Sequence, residues 1–167
     1  GREQLVEAMG MILIQEQASQ YLLQANEQEI NGLVLFDETI LQEEVEEQPT
    51  KENLEGLYQT VEGYSTAGGT DIYQAAIRAL EIMGGYDLRG YTPAIILMTD
   101  GKSNGIMDFS DFSQAYDEAG LDVPVFSIMF GDADPEQLEQ LAEATNARVF
   151  DGREDLIDAF RKVKGYN

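Results

Sequence analysis

The sequence contains no cysteine, no histidine and no tryptophan among its 167 residues. The lack of cysteine excludes disulfide bridges, thiolate metal sites and cysteine nucleophiles. The lack of histidine excludes the most frequent general base of enzymes and the commonest zinc ligand. Most hydrolytic mechanisms therefore lose their central residue in this chain.

Positive charge is scarce, since 10 Lys and Arg residues face 32 Asp and Glu residues and the formal net charge is −22. A field of this sign repels phosphate backbones and anionic lipids at long range, so we expect no nucleic-acid partner. No stretch approaches the ~18 consecutive apolar residues of a membrane span, so we expect no membrane insertion by this segment. With 43% hydrophobic residues, the chain suits one globular domain over residues 1–167.

Helical and strand patterns alternate along the chain. Apolar spacing predicts a first helix over about residues 2–26, and its broad apolar stretch Met9–Ile14 indicates packing deep against a sheet. A short apolar strand, Gly32–Phe36, and an acidic edge strand, Thr39–Glu46, are predicted to form a hairpin around Asp37 and Glu38.

The rest of the chain predicts five helices and three strands. The helices are indicated by a cap at Thr50, the stripe from Ile72 to Met83, the stripe from Phe109 to Ala119, the Asp134-Pro135 start, and the final set Leu156, Ile157, Phe160 and Val163. The strands are Ala94–Thr99, Val123–Phe130 and Arg148–Phe150. Strands joined by helices make right-handed crossovers, so the fold class is α/β: a doubly wound, mostly parallel open sheet with helices on both faces and one antiparallel edge strand.

Two polar loops stand out. Gly68-Gly69-Thr70-Asp71 opens a helix, and Met98-Thr99-Asp100-Gly101 closes a strand. Loops at the carboxyl ends of neighbouring strands converge on one crevice, so the Thr70 hydroxyl and the Asp100 carboxylate are candidates to share a hard cation. Two plainer interpretations stay open: Thr70 as the helix N-cap, and Asp100-Gly101 as an ordinary turn.

The sequence resembles the von Willebrand factor A family along essentially its whole length. The resemblance rests on the order of four segments: LVLFDETI, GGTDIYQAAIRALE, AIILMTDGKSNG and VPVFSIMFGDADPEQLEQLAEATNARVFDG. It implies a doubly wound sheet with a metal-ion-dependent adhesion site at its top. That site combines D-x-S-x-S after the first strand, a threonine in a second loop and an aspartate in a third. Thr70 and Asp100 match the second and third parts, and Gly69, Asp71 and Ser103 are implied to surround them.

The chain departs from the family pattern at one place. No D-x-S-x-S occurs: Asp108-Phe109-Ser110 and Asp111-Phe112-Ser113 begin correctly, but Phe112 and Ala115 take the place of the second serine. The family's first strand, which is central in the sheet, also has no counterpart before the first helix. We expect the domain to be incomplete at its N-terminus, with this strand and loop upstream of Gly1. The alternatives are strand complementation by another chain and a degenerate domain that closes its sheet differently.

The resemblance implies a noncatalytic protein-binding module. Its metal, Mg²⁺ or alternatively Mn²⁺ or Ca²⁺, would meet an Asp or Glu of a protein ligand. Two protein groups hold such a cation weakly, so we expect tight binding only if the missing loop is supplied. A Mg²⁺-dependent hydrolase or phosphotransferase is a second hypothesis, although Ser65–Thr70 lacks the lysine of a P-loop. A metal-free structural scaffold is a third. The compartment stays open, with a slight preference for a bacterial cell surface.

Overall fold

The computed structural model describes residues 2–14, 29–65, 68–152 and 161. In these parts of the chain the helices and strands are α1 (Arg2–Leu13), β1 (Asn31–Phe36), β2 (Ile40–Glu46), α2 (Lys51–Gly63), α3 (Ile72–Met83), β3 (Ile95–Thr99), α4 (Phe109–Ala119), β4 (Val125–Met129), α5 (Pro135–Ala144) and β5 (Val149–Asp151). The predicted order of helices and strands is confirmed over these ranges.

Some predicted boundaries differ from the structure. The first helix, predicted to reach about residue 26, ends at Leu13, and residues 15–28 lie outside the described part, as do Leu156, Ile157, Phe160 and Val163 of the predicted final helix. The strand predicted from Val123 begins only at Val125. Pro124 explains the shortening, because a residue without an N–H cannot donate to a strand ladder.

The strands pair in two groups. β1 and β2 form the predicted antiparallel hairpin, in which Leu33 lies opposite Glu44. β3, β4 and β5 form a parallel sheet in that order. In the register of this sheet, Ile95 lies opposite Val125, and Ser127 lies opposite Val149. Within the described ranges β1 is not hydrogen-bonded to β3, so the sheet is interrupted between them.

Apolar residues of β3 alternate between two layers of helices. Ile95 and Leu97 belong to a core cluster with residues of α3, α4 and α5, including Phe112 and Leu138. Ile96 and Met98 pack against a second cluster, formed by Ala8 of α1 with Ile128, Phe130 and Phe150. A third cluster joins α1 to α2 through Leu13, Leu54 and Leu57. Helices therefore cover both faces, and the predicted doubly wound α/β fold is confirmed.

A cavity of about 780 Å³ lies between β1 and β3, and we call it the interstrand slot. Its two sides are Gly32–Phe36 of β1 and Ile95–Thr99 of β3. Its other walls come from three helices: Leu5, Met9 and Leu13 of α1, Leu57 and Val61 of α2, and Ala75, Ala76, Ala79, Ile82 and Met83 of α3. The slot occupies the position at which the sequence resemblance implies a central strand.

The longest described helix has 13 residues. Of the helices in the described ranges, none has the length and apolar character needed to cross a membrane.

Candidate functional site

The candidate site lies where β1 and β3 end and α3 begins. The Asp71 N–H donates to the carbonyl of Asp37, the residue after β1, at 2.8 Å. A Cβ atom on Gly101, just beyond β3, would lie 3.1 Å from Thr70 Oγ1. The structure therefore places the Thr70 loop beside the Asp100-Gly101 loop, at the carboxyl ends of both strands.

Asp71, rather than Thr70, caps α3. Its Oδ1 accepts a hydrogen bond from the Gln74 N–H at 3.0 Å. The interpretation of Thr70 as the N-cap is therefore wrong. The Thr70 hydroxyl makes no hydrogen bond to any residue that the structure describes. It is left available for another ligand beside Asp100.

Asn104 makes hydrogen bonds with both the N–H and the carbonyl of Thr70. The Thr70 N–H donates to Asn104 Oδ1 at 2.9 Å, and the Asn104 N–H donates to the Thr70 carbonyl at 2.8 Å. A Cβ on Gly69 would overlap the same Asn104 oxygen, so this glycine leaves room for the contact. No local pattern in the sequence indicates this contact of Asn104, because its partner lies 34 residues away.

Ser103 ties the same loop to α3 and α5. Its hydroxyl, in a side chain only 9% exposed, donates to the Thr70 carbonyl at 3.3 Å and accepts from the Ile72 N–H at 3.2 Å. Gln137 completes the connection, since its Oε1 accepts from the Ser103 N–H at 2.8 Å and its Nε2 donates to the Ser103 carbonyl at 3.1 Å. Ser103 thus orients the loop that carries Thr70.

Asp71 is also the buried link between the second and third loops. It is 1% exposed, and its Oδ2 accepts from the Met107 N–H at 3.1 Å. A Cβ on Gly105 would overlap the Asp71 side chain, so the loop approaches this closely only with glycine there. Both carboxylate oxygens of Asp71 are engaged within the protein, which makes it a positioning residue.

Asp100 presents an exposed carboxylate at the end of β3. Its carbonyl accepts from the Asp132 N–H at 3.0 Å, whereas its carboxylate has no hydrogen bond or ion pair with the described residues. Gly131 packs directly against it at a φ of +49°, and a Cβ there would lie 3.1 Å from the Asp100 carbonyl oxygen. The backbone of Asp100 is fixed while its side chain is available to a ligand.

The surroundings of the site are acidic. Burial raises the pKa of the Tyr73 phenol, and the negative charges of Asp134, Asp108 and Asp71 raise it further. Asp134 is the predicted cap of α5, accepting from the Glu136 N–H at 2.9 Å, and Lys102 Nζ lies 3.9 Å from its carboxylate. A cation would be attracted to this region.

The donor set has the chemistry of a magnesium site but not the number of ligands. A hydroxyl and a carboxylate are the hard oxygen donors that Mg²⁺ takes, usually together with several waters. Within the described ranges, no cluster of three or more acidic, histidine or cysteine residues is placed to hold a metal. Thr70 and Asp100 fit part of a metal site, to which further oxygen ligands must be added.

The chain is similar to known proteins both in sequence pattern and in fold. A family model described as the von Willebrand factor type A domain matches residues 34–149. Among solved structures, a von Willebrand factor type A protein from Catenulispora acidiphila superposes with a TM-score of 0.69 at 15% identity, covering 98% of this chain. Proximal thread matrix protein 1 from the mussel byssus superposes with a TM-score of 0.59 at 18% identity, covering 94% of this chain.

The two structural matches are similar to this chain in fold alone, because their sequence identities are low. The chain spans 39% of the length of the first and 41% of the length of the second. No curated protein matches the sequence significantly.

Proposed function

The chain belongs to the von Willebrand factor type A family, and we propose that it recognises an acidic side chain of a partner protein through a divalent cation held at Thr70 and Asp100. Domains of this family are general protein-interaction modules and are generally not enzymes. Binding of a carboxylate through a cation would be the specific chemistry of that general role in this chain.

The observation that carries the proposal is the capping of α3 by Asp71. Both Thr70 and Asp71 have side chains suited to an N-cap, but Asp71 accepts from the Gln74 N–H. This leaves the Thr70 hydroxyl without a partner among the described residues, beside Gly101, which follows the exposed Asp100 in the chain. A polar side chain that is fixed by its backbone yet makes no internal bond is available to a ligand.

The loop network supports the proposal because it limits how far the two donors move. Thr70 is held by Asn104 and Ser103, and Asp100 is held through Asp132. Fixed donors lose little conformational freedom when a cation binds, which increases affinity for a given set of ligands. Mg²⁺, or alternatively Mn²⁺ or Ca²⁺, would add local positive charge within a domain of net charge −22. A partner Asp or Glu would then complete its coordination.

Metal binding is tested by titrating the 167-residue chain with Mn²⁺ and following the free ion by electron paramagnetic resonance. We expect weak, saturable binding that is lost in Thr70→Val and in Asp100→Asn. Thr92→Val and Asp122→Asn are matched controls, since each makes the same substitution at an exposed loop residue outside the candidate site. Tight binding that persists in both site variants would contradict the ligand assignment.

Recognition is tested by selecting peptides from a displayed library in Mg²⁺ and eluting them with a chelator. We expect the eluted peptides to contain Asp or Glu, and the Asn or Gln versions of the same peptides not to bind. Binding that is unchanged in excess chelator would favour the metal-free scaffold instead. Turnover of a phosphate ester in Mg²⁺ that Asp100→Ala abolishes would favour the hydrolase or phosphotransferase.

A further inference from the structure

Asn104 is followed by a glycine in the loop between β3 and α4, and an Asn-Gly pair can undergo an intramolecular reaction. The Gly105 nitrogen can attack the side-chain carbon Cγ of Asn104 and close a five-membered ring, because glycine has no side chain to obstruct the approach. A second pair of the same kind, Asn31-Gly32, lies in β1. The surroundings of the two pairs therefore decide which of them reacts.

The nucleophile is available at Gly105. Its N–H makes no hydrogen bond to any residue that the structure describes, and the loop from Gly101 to Asp108 contains no helix or strand. This amide can therefore lose its proton and turn toward the side chain without breaking an internal bond. Gly32, by contrast, lies opposite Val45 in the antiparallel hairpin, where pairing keeps the backbone extended.

The side-chain carbonyl of Asn104 is polarised by a backbone donor. The Thr70 N–H donates to Asn104 Oδ1 at 2.9 Å. When the Gly105 nitrogen attacks Cγ, negative charge develops on this oxygen, and a donor already in place stabilises it as a donor of an oxyanion hole does. The Thr70 carbonyl accepts from the Asn104 N–H at 2.8 Å, which keeps the donor in position.

The leaving group of Asn104 is unrestrained. Its Nδ2 has no hydrogen bond with the described residues, and the residue is exposed, so ammonia can depart into water. The Nδ2 of Asn31 is buried and has no hydrogen-bond partner in the described ranges. Water reaches the first amide and not the second, and protonation of the leaving nitrogen is therefore possible only at Asn104.

We propose that Asn104 is a site of spontaneous deamidation in the folded domain. Water or hydroxide takes the Gly105 N–H proton as the Gly105 nitrogen bonds to Asn104 Cγ, the Cγ–Nδ2 bond breaks, and ammonia leaves a cyclic imide. Water then adds to one of the two imide carbonyls and breaks its bond to the Gly105 nitrogen. The product is aspartate, or isoaspartate if the chain continues through the side-chain carbonyl. The reaction consumes only water and does not depend on metal binding.

The isoaspartate product does not fit the loop. It places one extra backbone carbon between the residue-104 N–H, which donates to the Thr70 carbonyl, and Gly105, which packs against Asp71. A Cβ on Gly105 would overlap the Asp71 side chain, so the loop has no space to shift in that direction. We expect the longer backbone to break the bond from the Met107 N–H to Asp71 Oδ2. Deamidation would thus irreversibly loosen the loop after β3 from the start of α3.

The test incubates the folded 167-residue chain in warm, mildly alkaline buffer and measures both Asn-Gly peptides by mass spectrometry after digestion at acidic pH. We expect Asn104 to convert roughly tenfold or more faster than Asn31, and its product to be methylated by an L-isoaspartyl methyltransferase. The same incubation in urea is the control. We expect the two rates to become similar there, because unfolding removes the difference in surroundings.

Two variants separate ring closure from its consequence. Asn104→Gln lengthens the side chain so that the five-membered ring cannot form, and we expect no conversion at this position while Asn31 reacts as before. Freshly purified Asn104→Asp carries the acid without the extra backbone carbon. The isoaspartate fraction, separated by chromatography, should unfold at a lower urea concentration than Asn104→Asp. Each variant is first compared with the parent chain by circular dichroism.

Four results would overturn the proposal. Asn104 stays intact in the folded chain although it converts in urea, which would mean that the bond to Thr70 holds its side chain away from Gly105. Asn31 converts as fast as Asn104 in the folded chain. The mass gain of this peptide persists in Asn104→Gln. The isoaspartate fraction is as stable as Asn104→Asp, so that the extra backbone carbon disturbs no contact.

Discussion

Removal of the Asp71 side chain should damage both the stability of the domain and the alignment of its candidate site. The carboxylate is 1% exposed and accepts the Gln74 N–H at 3.0 Å and the Met107 N–H at 3.1 Å. Asp71→Ala would remove the cap of α3 and leave the Met107 N–H without its acceptor. The first bond caps α3, and the second joins the start of α3, next to Thr70, to the loop that follows Asp100.

The size of the effect follows from the two lost bonds. Loss of an N-cap costs about 0.5–2 kcal/mol of stability. A partly buried amide that loses its acceptor costs about 1–3 kcal/mol. We therefore expect Asp71→Ala to lower the free energy of unfolding by about 1.5–5 kcal/mol, which is a large share of the ~5–15 kcal/mol of a typical domain.

The assay is urea denaturation of the parent chain and three variants, followed by circular dichroism. Asp108→Ala is the matched control, because Asp108 caps α4 by accepting from the Asp111 N–H at 3.0 Å but is exposed. We expect this control to lose only about 1 kcal/mol. Asp71→Asn keeps one acceptor oxygen, so we expect it to fall between the parent and Asp71→Ala.

The reasoning would be refuted if Asp71→Ala lost no more stability than Asp108→Ala. That result would mean that the bond to Met107 contributes nothing and that the two loops are held independently of Asp71. A second readout is the weak Mn²⁺ affinity of the chain, which should fall in Asp71→Ala although Asp71 is not a proposed ligand. Retained affinity would show that the loops keep their positions without it.

Three further predictions concern pH and backbone conformation. The hydrogen bonds from Arg78 hold the pKa of Glu43 below its usual value of 4.5. The stability from this pair is therefore present above pH 4.5 and lost as the pH falls through the lower folded pKa. In urea denaturation at several acidic pH values, the free energy of unfolding should depend less on pH in Glu43→Gln than in the parent chain. Burial raises the pKa of Tyr73 above 10.0. The stability that comes from the neutral phenol should therefore disappear as the pH rises from 10.0 through the folded pKa. Tyr73→Phe should remove a step at high pH from the ultraviolet titration of the tyrosines. Gly131→Ala should lose about 1–2 kcal/mol of stability in thermal denaturation, because the φ of Gly131 is +49°. Gly56→Ala, inside α2 with open space around the new methyl group, should gain about 0.5–1 kcal/mol of stability. Equal effects of the two substitutions would contradict the argument from backbone conformation.

Features with local partners were predictable from the sequence. Thr50 and Asp134 were predicted as caps, and each accepts from a backbone N–H two or three residues ahead. The hairpin of β1 and β2 follows from a short apolar strand, a polar turn and an acidic edge. In each case the residues that make the contact lie close together in the chain, so their pattern contains the information.

The contacts that hold the candidate site were not predictable in this way. Thr70 and Asp71 both have side chains suited to a helix cap, and the plainer interpretation of the sequence placed the cap at Thr70. The structure selects Asp71 because Asn104, 34 residues away, holds the backbone of Thr70 in the loop. The contacts of Asn104 and Gln137 leave no local pattern in the sequence, because their partners belong to other elements. The metal assignment of Thr70 and Asp100 stays a prediction.

The sequence by itself determined the order of the elements, the α/β class and the two loops that carry Thr70 and Asp100, because periodicity and turn residues act over a few positions. Only the tertiary structure decided that these loops meet, that Asp71 rather than Thr70 caps α3, and that β1 and β3 face each other across a cavity of about 780 Å³. The physical reason is that strand pairing and loop contacts join residues distant in the chain. Whether an edge is paired depends on which strands lie beside it in space.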